Sequence, residues 1–111
     1  MIKDSLERHE FETGAVRDIQ QGKGRCDLLP PNALLRLARH FEAGAAKYGD
    51  RNWEKGIPIN SFVNSAMRHL LQYMNGEDDE DHICASMWNL ACAMETELVH
   101  GFTFDKREGV E

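Results

Sequence analysis

Residues 83–94 read Ile-Cys-Ala-Ser-Met-Trp-Asn-Leu-Ala-Cys-Ala-Met, apolar or small nearly all the way round a helical wheel. A helix of this kind is normally buried on several sides. In a chain of 111 residues few elements are left to cover it. The sequence therefore implies an all-α fold, a small bundle of about three main helices with an extended N-terminal arm. A bundle that small hardly covers such a helix alone, so oligomerisation is expected to complete it.

The other two helices follow from periodicity. Leu34, Leu37, Ala38, Phe41, Ala45 and Tyr48 recur at three- and four-residue steps, which places them on one stripe of a helix. Ala33 to Tyr48 is the expected span, with Asn32 as N-cap, Pro31 just before it and Gly49 as the stop. Glu42 falls at the edge of the stripe, where an acid borders the core. Ser61 is expected to cap a second helix reaching about Asn75, in which Phe62, Val63, Ala66, Met67, Leu70, Leu71 and Met74 form a broad apolar face. Between the two, Lys47 to Ile59 carries two glycines and Pro58 and reads as a loop.

One domain is expected over residues 1–111: an arm over 1–31, a helical body over 32–100 and a short, acidic, loosely held tail over 101–111. The arm has no sustained period, and Leu28 and Leu29 form its one apolar knot. The first dozen residues are expected to stay mobile.

Charge narrows the partners. Thirteen Lys and Arg stand against nineteen Asp and Glu, a formal net charge of -6, which repels a phosphodiester backbone unless the cations are gathered in one place. Nucleic acid is thus an unlikely partner. Cys26, Cys84 and Cys92 show no paired spacing, so neither a zinc site nor a disulfide framework is expected, and a reducing, cytoplasmic location fits. The chain begins MIKDSLERHE and holds no apolar run of bilayer length, so neither export nor a membrane partner is expected.

Three groups of residues could carry chemistry. Glu77 to Asp81 are five consecutive acids expected at the start of the third helix, where negative charge complements the exposed amides of the first turn. A hard cation such as Mg2+ would also relieve their crowding. His82, Ser86, Asn89 and Ala93 share one face, giving either a satisfied buried polar strip or donors and acceptors for a base, a sugar or a metal-bound water. The loop offers Lys47, Arg51 and Lys55 for phosphates and Tyr48 and Trp53 for stacking on a base. Each alone is an ordinary surface or helix-end residue, and their density between two helices is the stronger signal.

Five segments then coincide with a known pattern: TGAVRD at Thr13 to Asp18, GKGRCDLLPP at Gly22 to Pro31, GAAKYGDRNWEKGIP at Gly44 to Pro58, RHL at Arg68 to Leu70 and EDH at Glu80 to His82. Together they resemble the bacteriophage dATP/dGTP diphosphohydrolase N-terminal family. That resemblance, extended to the MazG-like all-α pyrophosphohydrolases, implies a homodimer or homotetramer in the host cytoplasm whose small-molecule partner is a nucleotide. It implies Mg2+-dependent (or Mn2+-dependent) hydrolysis of purine dNTPs to dNMP and pyrophosphate. The E-E-x-x-E motif of those enzymes is absent, only Glu42 standing in the first long helix. On this reading Glu42, Glu77, Glu80 and Asp81 hold the metal, and Glu42, Glu80 and Asp81 are catalytic. Lys47, Tyr48, Arg51, Asn52, Trp53, Lys55, His82 and Asn89 bind substrate, joined by His69 through the RHL triplet. The alternative is a non-catalytic phage binding or scaffolding module that keeps the same loop. All of this requires the acids before His82 to meet Glu42 and the Trp53 loop in one pocket.

Overall fold

A computed structural model describes residues 7–19 and 21–107. The chain divides into two compact units, Met1–Pro30 and Pro31–Glu111. The first holds an antiparallel hairpin of β1 (Arg8–Glu10) and β2 (Val16–Asp18), in register Arg8 to Asp18, His9 to Arg17 and Glu10 to Val16. Gly14 closes its turn at a φ of 87°, donating its N–H to the Phe11 carbonyl at 2.9 Å. A positive φ there suits glycine, which has no Cβ to clash. The expected arm is therefore partly ordered by pairing. Of the first dozen residues, expected to be mobile, 1–6 lie outside the described residues.

The second unit is built of α1 (Pro31–Tyr48), α2 (Ile59–Met74) and α3 (His82–His100), so the protein is mostly helical as the patterns imply. Several boundaries differ from expectation. Pro31 is the first residue of α1 rather than its predecessor, a position where its missing N–H costs nothing and its fixed φ suits the helix. Gly49 does stop α1, at a φ of 93° with its N–H on the Ala45 carbonyl at 2.8 Å. Helix α2 starts two residues before Ser61, after Pro58, and Asn75 is its C-cap. No described helix is long and apolar enough to cross a membrane.

Helices α2 and α3 form an antiparallel pair, with α1 packed mainly on α3. Small residues make the close approach possible. Ala66, Ala85, Ser86 and Ala93 are all buried, and Ser86 Oγ donates to the Ala66 carbonyl at 2.8 Å across the seam. Ile59, Phe62, Cys92 and Ala93 form the core, ringed by Phe41, Trp53, Ile57, Val63 and Trp88. Phe62, only 3 % exposed, contributes about 2–3 kcal/mol by leaving water.

One face of α3 is exposed among the described residues of the helical unit. Ile83, Met87, Leu90 and Met94 are exposed at alternating steps of four, three and four residues. That is the spacing of a helix–helix seam.

The tail is held more firmly than its composition suggests. Buried Asn60, at the start of α2, donates Nδ2–H to the Asp105 carbonyl at 2.6 Å and accepts the Asp105 N–H on Oδ1 at 2.8 Å. His100 stacks on Phe102 with ring centroids 5.2 Å apart. Residues 108–111 of the expected tail lie outside the described residues.

Candidate functional site

A cleft of about 640 Å3 opens between the C-terminal half of α1, the turn that follows it, the first turns of α2 and the middle of α3. Its size is that of a small-molecule site. The turn is built by backbone geometry. After Gly49, Arg51 adopts a left-handed conformation (φ 54°) and Asn52–Lys55 wind into a single 3-10 turn ended by Gly56 at φ 105°. Arg51 is the one non-glycine among the described residues with positive φ, a conformation that costs about 1–2 kcal/mol and that concentrates at ligand sites. The turn is tethered to the end of α3 by His100, whose Nε2 donates to the Glu54 carbonyl at 2.9 Å.

Trp53 is thereby set against Phe41 of α1, edge-on with centroids 6.0 Å apart, and Phe41 in turn meets Trp88 of α3 at 5.7 Å. These rings give the cleft apolar, polarisable walls suited to a flat aromatic ligand. Two polar groups of α3 lie beside this wall. Trp88 Nε1 is shut off from solvent and has no hydrogen-bond partner among the described residues. Asn89 uses its Nδ2–H on the Ala85 carbonyl at 2.8 Å, leaving its carbonyl oxygen as the acceptor it can offer.

Of the residues singled out from sequence, Glu42, Tyr48, Arg51, Asn52, Trp53 and Asn89 line this cleft. Phe41, Trp88, Ser61 and Ser65 line it too and were not singled out. The two aromatics carry the same apolar spacing as core residues, and periodicity cannot separate a cleft wall from a core. Lys47 is not among the lining residues. Its Nζ sits 5.1 Å from the centre of the Tyr48 ring. Lys55 is exposed at the end of the 3-10 turn and does not line the cleft either. Three acids of the lining, Glu42, Asp50 and Glu54, face one cation, Arg51, which pairs with Glu54 at 3.7 Å.

The acids before α3 are elsewhere. Asp81 is the N-cap of α3, accepting the Cys84 N–H at 3.4 Å, and it forms a two-pronged ion pair with Arg36, Nε to Oδ2 at 2.8 Å and Nη2 to Oδ1. The guanidinium holds the Asp81 carboxyl below its ordinary range, the cap bond assisting against burial. The first turn of α3 contains no acid, so Glu77 to Glu80 precede the helix instead of forming its start. Glu77 accepts from the Gln72 amide at 3.4 Å and the Asn75 amide at 3.2 Å.

His69 and His82 stand beside Glu80. His82 is 1 % exposed, and its two ring nitrogens are both engaged, Nε2 with Asp79 Oδ1 at 2.7 Å and Nδ1 with His69 Nδ1 at 2.9 Å. An ionised carboxylate only accepts, and the His82 contact holds Asp79 below its usual carboxylate range. Neutral His82 therefore carries its proton on Nε2, and His69 donates Nδ1–H to His82 Nδ1. Burial, chiefly, pushes the His69 imidazole below its ordinary value.

Glu42 is six residues beyond Arg36, roughly 9 Å along the α1 axis, and Arg36 is what Asp81 grips. The four carboxylates expected to hold Mg2+ are thus not brought to one point in this chain: Glu42 lines the cleft, Asp81 is taken by Arg36, Glu77 by two amides, and Glu80 lies beside two imidazoles. Mg2+ is usually held by one or two carboxylates, with water and substrate phosphates filling its other positions, so within one chain these four carboxylates do not act as a common set. The single pocket anticipated from sequence is two places at different heights of the bundle. The physical reason is that the helix cap fixes Asp81 at the level of the first turns of α1, below Glu42.

Over residues 13–107 the chain is similar to a family model described as dATP/dGTP diphosphohydrolase, N-terminal. No curated protein and no solved structure matches it.

Proposed function

Because the chain belongs to the dATP/dGTP diphosphohydrolase N-terminal family, we propose that its cleft binds a purine deoxynucleoside triphosphate and that the protein hydrolyses it in the cytoplasm to dNMP and pyrophosphate. The aromatic cleft carries this reading: Trp53 and Phe41, packed edge to face, form one wall of a space also lined by Asn52, Asn89 and Glu42. A purine ring inserted there stacks on Trp53. Asn89 accepts, through its carbonyl oxygen, from the amino groups that adenine and guanine both carry.

The lining acids outnumber the cations, so base and sugar suit the interior and the phosphates suit the mouth, where Arg51 and, from α1, Lys47 offset their charge. In the reaction water attacks the α-phosphorus and the bond to the leaving pyrophosphate breaks. Glu42 is the carboxylate placed to take the water's proton. Glu80 and Asp81 stand outside this cleft within one chain. The assembly belongs to the same proposal, a homodimer or homotetramer joined along the exposed seam of Ile83, Met87, Leu90 and Met94.

One observation favours a second reading, that of a non-catalytic binding module: the acidic residues do not converge in the chain. A single experiment separates the two. Purified protein is incubated with each dNTP and Mg2+ or Mn2+, following tryptophan fluorescence and pyrophosphate together. Quenching by dATP and dGTP with pyrophosphate release, both abolished in Trp53→Ala and the release alone in Glu42→Gln, is the expected result. Quenching without release leaves the binding module. Neither signal with any dNTP overturns the nucleotide reading.

A further inference from the structure

We propose that His69, Glu80 and His82 form a binding site for a divalent transition-metal ion of the Zn2+ and Co2+ class, one turn of α2 beyond Ser65 of the cleft lining and sharing no residue with the cleft. One ring nitrogen of each histidine and a carboxylate oxygen of Glu80 all lie within 4.8 Å of one another, and the two Nδ1 atoms face each other. Imidazole nitrogens select borderline transition ions over Mg2+, which prefers oxygen. The acids alone suggest a hard ion, and the two histidines change that selection.

The arrangement around His82 is that of a ligand already aimed. Asp79 accepts from Nε2 at 2.7 Å and so directs the lone pair of Nδ1 toward His69. A carboxylate on the far nitrogen of a histidine is the recurrent outer-sphere support of metal-bound imidazole, fixing both tautomer and ring orientation. Packing adds to this, since His82 is 1 % exposed and cannot turn away. The two Nδ1 atoms are 2.9 Å apart. With metal–nitrogen bonds of about 2.0–2.1 Å that separation corresponds to neighbouring ligands at about 90° on one ion.

Binding requires one rearrangement of protons. The hydrogen that His69 shares with His82 leaves Nδ1 and His69 takes up the tautomer protonated on Nε2, so both Nδ1 lone pairs face the ion and no net charge is lost from the rings. Glu80, exposed, closes the third position from the solvent side, and water completes the set. Three protein ligands with an open position is the pattern of an accessible site rather than a sealed structural one. Asp79 and Glu80 also offset the positive end of α3, which by itself disfavours a cation.

The test needs no nucleotide, so its outcome is separate from the fate of the cleft. Untagged protein is titrated with Co2+, following visible absorption, and with Zn2+ by calorimetry, in the presence and absence of excess Mg2+. One ion per chain, a Co2+ band that Mg2+ does not displace, its loss in His69→Ala and its weakening in Glu80→Gln are expected. Asp79→Asn, which leaves all three ligands in place, lowers affinity by about 10–100-fold. Circular dichroism confirms that each variant is folded, and Glu80→Gln, changed at an exposed position, serves if His69→Ala is not. No band and no heat with the folded parent protein, displacement by Mg2+, or binding unchanged in the folded variants overturns the proposal.

Discussion

Replacing Asp81 removes two interactions with different chemistry, and they can be separated. As N-cap it satisfies the Cys84 N–H at 3.4 Å. That bond is long, so the lower part of the usual capping range applies, about 0.5–1 kcal/mol. As an ion-pair partner it meets Arg36 with two bonds, but the side chains are 51 % and 38 % exposed, so solvent screening limits the pair to about 0.5–1 kcal/mol. Asp81→Ala loses both, about 1.5 kcal/mol, which in a domain of this size lowers the melting temperature by about 6–12 °C. Asp81→Asn keeps an oxygen for the cap and loses the charge, giving about half that shift.

The pH dependence has a definite sign. The Arg36 guanidinium holds the folded-state pKa of Asp81 below the ordinary carboxylate value, whereas the unfolded chain titrates at about 3.9. The pair's contribution is therefore complete above about pH 4 and disappears as pH falls through the lower, folded value. Thermal melts followed by circular dichroism should show a constant gap between parent and Asp81→Asn from pH 8 to pH 5, closing only below about pH 4. An Asp81→Ala protein melting within about 2 °C of the parent, less than the smallest shift the capping and pairing ranges allow, would refute the reasoning. A gap that closes between pH 7 and pH 5 would refute it equally.

Two further outcomes follow from burial and exposure. Cys26 is exposed while Cys84 and Cys92 are buried, and burial pushes both buried thiols up, Cys92 to about 12; a thiol reagent at pH 8 should titrate Cys26 rapidly in the native protein and all three cysteines only in denaturant, and rapid labelling at Cys92 would contradict the packing of α3. Leu90→Glu places a charge in the middle of the exposed α3 seam at a position 47 % exposed in the single chain, so it should leave the helical content intact and shift the mass measured by light scattering from oligomer to monomer, whereas an unchanged mass would remove that seam as the interface.

The helical fold was legible because its signals are local. The stripe from Leu34 to Tyr48 marks α1, and Gly49 ends it where a left-handed residue is needed. Local signals also mark the Tyr48 to Trp53 turn as dense in chemistry. What escaped is non-local. Nothing near Asp81 announces that its partner is Arg36, 45 residues earlier, so five adjacent acids looked interchangeable when one is a cap and ion-pair partner and another supports a histidine. Strands of three residues are too short for alternation to register, which hid the hairpin. Trp88 and Phe41 looked like core because an apolar wall facing a cleft and one facing a helix have the same period. The indole of Trp88 beside the polar Asn89 was the one clue to the cleft wall.

The fastening of Asn60 to residue 105 distributes chemical constraint unevenly between its two ends. The amide at 60 must supply one donor and one acceptor at once, a combination that aspartate and leucine lack and that glutamine provides only from a longer arm. What it grips at the other end is peptide backbone, which every amino acid except proline presents alike. Position 105 is thus free to change its side chain while keeping the latch, and position 60 is not.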